Sequence, residues 1–169
     1  MGFHSFLQKN RIPLESVMAK SWNKKIFKQI DEKVNQASKD LAEERGACPD
    51  AAEYGYKERF SNKTAIAPTA SISIICGGAS PGVEPIAANS YTHKTLSGSF
   101  NVRNRYLEEI LESHGKNDDE TWSTITTNQG SVSHLNFLTD LEKDVFKTAF
   151  ELNQKWIVEL SGDLSLIHI

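Results

Sequence analysis

The stretch from Asn62 to Tyr91, NKTAIAPTASISIICGGASPGVEPIAANSY, constrains this chain more than any other part of it. A short apolar run, Thr64 to Ala67, reads as a buried strand. It leads into a hydroxyl-rich turn, Pro68 to Ser73, and then into a glycine-rich loop that closes on Gly82-Val83-Glu84-Pro85. Backbone leaving a strand through such a turn presents N–H groups and hydroxyls side by side, which is what holding a phosphate requires. If a helix begins at the turn, the N–H groups of Ala70, Ser71 and Ile72 have no carbonyl one turn back to bond. Thr69, Ser71 and Ser73 add hydroxyl donors, and Ala70 keeps the approach open. Read as a bare string, TxSxS is more commonly a set of helix or turn caps, and no P-loop lysine follows it. Ser71 to Ile75 fits either a strand or the first turn of a helix, and periodicity alone does not choose.

The glycines between Gly77 and Gly82 permit positive φ and close packing against a ligand or a second loop. Glu84 is the one carboxylate in a neutral stretch, so Gly82 and Glu84 are expected to support the loop rather than touch a ligand.

Helical and extended segments alternate along the rest of the chain, which is the pattern of an α/β protein. Pro13 is expected to start a helix of about 30 residues, because Trp22, Ile26, Phe27, Ile30, Val34, Ala37 and Leu41 recur at steps of three and four. Gly46 stops it. Ala47 to Ser61, with Pro49 and Gly55, reads as a loop. Val102, Tyr106, Ile110 and Leu111 outline a short helix ending near His114-Gly115. KNDDE is a loop, and Trp122 to Asn128 reads as a further turn or two of helix. A last long helix is expected from Thr139 or Asp140, with Val145, Phe146, Ala149, Phe150, Trp156, Ile157 and Leu160 on its apolar face and an end at Ser161-Gly162.

With 169 residues, 38% of them hydrophobic and 24% charged, the chain can bury a sizeable core as one soluble domain. A net charge of -3 without a basic cluster argues against a general nucleic-acid or membrane-surface binder. No apolar run approaches the roughly 20 residues of a membrane span, and the start lacks a signal-peptide layout, so a cytoplasmic protein with two free thiols is expected. Cys76 is expected as a small buried residue. The histidines show no metal-ligand spacing, and no GxSxG elbow is present. Both ends look cut: the chain opens directly in an amphipathic segment with Phe3, Phe6 and Leu7 on one side, and it closes on SLIHI. Residues 1–163 are therefore read as part of a larger fold, and Leu164 to Ile169 as a tail foreign to it.

Several strings together change the reading: MGFHSFLQKN, ERGACPD, NKTAIAPTASISIICGGASPGVEP, ANSYTHKTLSGSFNVRNRYLEEIL and QKWIVELSGD. Spread over nearly all of Met1 to Asp163, they resemble the C-terminal part of the catalytic domain of the ribonucleotide reductase large (alpha) subunit. The resemblance implies a fragment of an α/β barrel, with long helices flanking short buried strands. It implies an enzyme that replaces the ribose 2′-hydroxyl by hydrogen through a cysteine thiyl radical, for DNA synthesis. Carried over position by position, it makes Thr69, Ala70, Ser71 and Ile72 phosphate contacts, with Ser71 supplying the hydroxyl and Ser73 a further candidate. Relatives acting on diphosphates often carry an acidic residue where Ala70 stands. Neither Cys48 nor Cys76 matches a thiyl-forming or reducing position, so no catalytic residue is expected within the chain, which alone would be inactive. The implied partners are the ribonucleotide substrate, a small (beta) radical-generating subunit containing the metal, thioredoxin or glutaredoxin as reductant, and a second copy in a homodimer with allosteric nucleotide and ATP binding. The segment itself would bind no cofactor or metal. ANSYTHK and KWIVELSGD look more like the type served by a partner subunit, while adenosylcobalamin-using relatives share an APT-type turn and form the alternative radical source. A non-catalytic phosphate-binding module and a purely structural helical domain are the other readings of the same residues.

Overall fold

The computed structural model describes residues 1–96 and 98–165. In chain order it contains α1 (Phe3–Lys9), α2 (Val17–Arg45), α3 (Pro49–Glu53), α4 (Ala70–Ile75), the strands β1 (Ser90–Thr95) and β2 (Gly98–Arg103), then α5 (Arg105–Ser113), α6 (Asp119–Thr127), α7 (Asp140–Val145) and α8 (Gln154–Ser165). The chain divides into two compact units, one of Met1–Ala19 with Pro68–Ile157, the other of Lys20–Ala67 with the chain from Val158 onward.

In the first unit the helices start where short polar side chains can take up orphan N–H groups. Asn104 accepts from Tyr106 N–H at 3.1 Å and so begins α5, which leaves Val102 in β2 rather than in the helix expected of it. Asp118 accepts from Thr121 N–H at 2.7 Å and begins α6. Thr139 and Glu142 form a complete capping box at α7. The apolar faces of these helices close over one core of Leu107, Ile110, Leu111, Trp122, Ile125, Val132, Leu135, Leu138, Val145 and Phe146. Each such buried side chain is worth about 1.5–3 kcal/mol relative to its exposed state.

The single helix expected from Thr139 to Leu160 is two. Glu151 accepts Thr148 N–H at 2.8 Å and returns its own N–H to Thr148 C=O at 3.0 Å, while Asn153 caps the next helix at Lys155 N–H, 3.0 Å. These local side-chain bonds compete with helical ones and win. Phe150, assigned to an apolar face, is exposed as a result.

Strands β1 and β2 pair antiparallel, with Ser90 opposite Arg103 and Thr95 opposite Gly98. They form a hairpin that starts at the buried Ser90 and whose second strand is largely exposed. Its alternating sequence around Leu96-Ser97-Gly98 carried a hairpin signal that helical periodicity had masked.

Helix α2 starts at Val17, within the first unit, not at Pro13, because Ser16 Oγ accepts Ala19 N–H at 3.1 Å, and from Lys20 it belongs to the second unit. It ends as expected at Gly46, whose φ is +82. Its buried line runs through Asn23, Ser38 and Ala42, with Trp22, Ile26, Phe27, Val34 and Leu41 half-buried and Ile30 and Ala37 exposed. Asn23 Nδ2 donates to Leu160 C=O at 2.9 Å, and Lys20 pairs with Glu159. The segment read as a loop after Gly46 holds the short helix α3, with Pro49 in its first turn.

The strand expected at Thr64–Ala67 is absent: residues 61–68 are irregular and exposed. A strand needs a neighbouring ladder, and among the described residues the two hairpin strands pair only with each other. Helix α8 runs through Ser161-Gly162 to Ser165. Of the tail read as foreign, 164–165 continue that helix and 166–169 lie outside the described residues.

Candidate functional site

Helix α4 decides the ambiguity at Ser71 to Ile75 in favour of a helix, and its first turn is built unusually. Thr69 occupies the cap position but makes no side-chain cap bond. Its Oγ1 instead accepts the N–H of Gly82 at 2.8 Å. The first helical bond is Ser73 N–H to Thr69 C=O at 2.8 Å, so the N–H groups of Ala70, Ser71 and Ile72 lie ahead of the helical ladder. These three residues are exposed. The Ser73 hydroxyl donates to Ala70 C=O at 2.6 Å, which fixes the turn from within and uses its proton.

The helix ends on two left-handed glycines, Gly77 at φ +74 and Gly78 at φ +72, and Gly78 N–H returns to Ser73 C=O at 3.0 Å. This closure is the one glycine supplies without strain. Gly77 also leaves room for the Arg105 guanidinium, which lies 3.7 Å from where a Cβ would stand. Cys76, expected buried, is exposed beside this closure because the short helix has only one packed face; Cys48 and Cys76 are both free thiols.

The following loop is held by α1. Ser5 N–H donates to Ser80 Oγ at 3.2 Å and Ser80 N–H donates to Ser5 Oγ at 2.9 Å. Ile86 N–H donates to His4 Nδ1 at 2.9 Å. Burial pushes the His4 pKa down to about 4, so the ring is neutral at pH 7 and free to accept. Glu84 is exposed, and its part in the loop is its backbone N–H, bonded to Pro81 C=O at 3.1 Å.

A cavity of about 690 Å³ opens beside the turn, lined on one side by Ala70, Ser73, Gly77 and Gly78 and on the other by Tyr91, His93 and Arg103 to Tyr106. Of the residues singled out from sequence, Ala70 and Ser73 reach this cavity, Thr69 and Gly82 are bonded to each other, and Ser71 and Ile72 lie on the exposed side of the turn. The hairpin wall was not anticipated. Arg103 is engaged by Asp119 at 2.7 Å and lies over the Trp122 ring, 5.2 Å from its centre; Arg105 lies over the Tyr106 ring at the same distance. The arrangement can receive an anion on main-chain N–H groups with cationic side chains across the cavity. Among the described residues no group of three or more His, Cys, Asp or Glu could hold a metal ion, and no helix is long and apolar enough to cross a membrane.

Comparison with known proteins agrees with this architecture. The family model for the ribonucleotide reductase barrel domain matches residues 1–59 and 50–166. The ribonucleoside-diphosphate reductase large subunit of Invertebrate iridescent virus 6 is 47% identical over 167 residues, covering 96% of this chain and 17% of the viral protein. A vitamin B12-dependent ribonucleoside-diphosphate reductase of Thermoplasma acidophilum is 33% identical over 164 residues, covering 94% of this chain and 21% of its own. Among solved structures, the class Id ribonucleotide reductase alpha subunit of Actinobacillus ureae superposes with a TM-score of 0.89 at 38% identity, over 99% of this chain and 30% of that one. The chain thus spans between a sixth and a third of the length of these relatives.

Proposed function

Because the chain belongs to the ribonucleotide reductase family and to its barrel domain, we propose that it supplies the substrate-phosphate turn of an enzyme that reduces ribonucleotides to deoxyribonucleotides in the cytoplasm. The observation that carries this reading is the diverted cap: the Thr69 hydroxyl serves Gly82 instead of its own helix, and three main-chain donors are left ahead of the helical ladder, with Ala70 lining a cavity. A phosphate is gripped by the N–H groups of Ala70, Ser71 and Ile72 and by the hydroxyls of Thr69 and Ser71, while Ser73 and Gly82 hold the turn in shape and Glu84 closes the supporting loop through its main chain.

On the same reading the thiyl-forming cysteine, the acid–base carboxylate and the reducing cysteine pair belong to other segments of a longer subunit, which works as a homodimer and is reduced by thioredoxin or glutaredoxin. The radical comes from a metal-containing small subunit. Adenosylcobalamin is the second reading, and the similarity to the Thermoplasma protein is what favours it. The test is kinetic, in the full-length subunit. Ser71→Ala should raise KM for the ribonucleotide roughly threefold to tenfold, the equivalent of one hydrogen bond. Ala70→Trp, which fills the approach, should raise it further, with the melting temperature unchanged in both. Unchanged KM with lowered melting temperature would make the turn structural.

A further inference from the structure

We propose that α1 is the positioning element of the phosphate turn: Ser5 and His4 set the loop Ser80–Ile86, and the loop in turn aims the Thr69 hydroxyl. This inference rests on the phosphate-binding reading of the turn.

The loop is short and pinned at both shoulders. At one shoulder Ser5 and Ser80 exchange two hydrogen bonds, 3.2 and 2.9 Å, and Gly2 N–H adds a third to Ser80 C=O at 2.8 Å. At the other, His4 Nδ1 receives Ile86 N–H at 2.9 Å. The side chains concerned are deeply buried, with Ser80 at 1%, His4 at 2% and Ser5 at 4% exposure. Water therefore cannot stand in for any lost partner, and the bonds are strong and directional. Between the shoulders, Glu84 N–H closes a turn on Pro81 C=O at 3.1 Å, and Gly82 sits at φ +44, a conformation other residues resist.

The crown of this loop delivers one donor, Gly82 N–H, to Thr69 Oγ1 at 2.8 Å. A hydroxyl has two lone pairs and one proton. Occupying a lone pair from the Gly82 side leaves the proton to be donated elsewhere, and it keeps the hydroxyl from swinging back to cap α4. Both consequences serve an anion at the turn. The path from Ser5 to Thr69 runs through the Ser5–Ser80 hydrogen bonds, the Ser80-Pro81-Gly82 backbone and the Gly82–Thr69 hydrogen bond, although its ends lie far apart in sequence. Ser5 and Ser80 are thus positioning residues, acting through Gly82.

The experiment measures binding of inorganic pyrophosphate by calorimetry to the intact polypeptide that carries this chain, with Thr69→Val defining the part of the binding due to the turn. Ser80→Ala and Ser5→Ala should each weaken that part roughly threefold to tenfold and should speed hydrogen exchange at the Gly82 amide. Ile125→Val, a mild truncation in the core, should lower the melting temperature while leaving pyrophosphate affinity and Gly82 exchange as they are. Ser5→Ala keeps the question open to refutation if Ser80→Ala fails to fold. Wild-type affinity in both serine variants, with Gly82 still protected, overturns the positioning role and leaves the turn intact as a phosphate site. Absence of any binding sensitive to Thr69→Val overturns the phosphate reading and this inference with it.

Discussion

Two helices of this chain, α4 and α7, are each six residues long and each follow a threonine, yet they are built for opposite ends. At α7 every advantage is taken locally. Thr139 accepts Glu142 N–H, Glu142 accepts Thr139 N–H at 2.8 Å, and Asp140 and Glu142 complement the positive end of the helix. At α4 the threonine makes no cap bond, the first turn carries no acid, and Ile72, Ile74 and Ile75 stay exposed. The difference teaches that the same residue in the same position stabilises a fold where its helix is closed on itself, and equips a site where its hydroxyl is drawn away by another loop.

The largest expected effect tests which side carries the stability. Phe146, the residue that ends α7, is 1% exposed in the core, and Phe146→Ala should cost about 3–5 kcal/mol in urea unfolding. Ile72→Ala, at a side chain 52% exposed on α4, should stay within about 0.5 kcal/mol. Equal costs would break the contrast, because α4 would then be packed in solution.

Acid should loosen the two sides in different windows. His4, which anchors the loop behind α4, has its pKa lowered by burial from 6.5 to about 4. Between those values the unfolded chain binds a proton that the folded chain refuses, so stability falls as pH drops from about 6.5 towards 4, by roughly 3 kcal/mol in all. Glu142 acts in the window below the ordinary carboxylate value of 4.5. Burial pushes its carboxyl up, but the bonds from Thr139 N–H and hydroxyl and from His114 overcome this, leaving its pKa below 4.5. Its contribution is present above that value and lost as pH falls through the lowered one. Unfolding midpoints between pH 7.5 and 5 should therefore drop in wild type and flatten in His4→Gln. A midpoint independent of pH over that range in wild type would remove the burial argument for His4.

The smallest effect sharpens the threonine comparison itself. Thr139→Ala should cost about 1 kcal/mol, the usual value of a cap, and leave pyrophosphate affinity unchanged. Thr69→Ala loses the Gly82 bond instead of a cap bond, so it should cost a similar amount in thermal unfolding, and it should lower that affinity.

Much of the helical architecture was legible because its signals are local. Thr139 and Gly46 act on residues within a turn of themselves, so the start of α7 and the end of α2 follow from neighbouring side chains, whereas α6 begins at Asp119, inside the KNDDE run read as a loop, because Asp118 caps it. The errors fall where a local pattern had a competitor. The heptad-like spacing of Val145 to Leu160 pointed to one helix, but the Thr148–Glu151 turn and the Asn153 cap interrupt it. Thr64 to Ala67 has strand composition, yet a strand is a property of a pair. The hairpin wall of the cavity was hidden by reading Val102 with the helix that follows it.

By itself the amino-acid order determined that a hydroxyl-rich turn precedes a glycine closure, because left-handed backbone at Gly77 and Gly78 and the missing ladder partners of a helix start are properties of a few adjacent residues. Only the tertiary structure decided what Thr69 does. Whether a hydroxyl caps its own helix or bonds Gly82 depends on a loop thirteen residues away, and that loop is set by an N-terminal helix whose buried serine and histidine meet it only after folding. Hydrogen bonds at such separation are chosen by packing, which no short window of sequence contains.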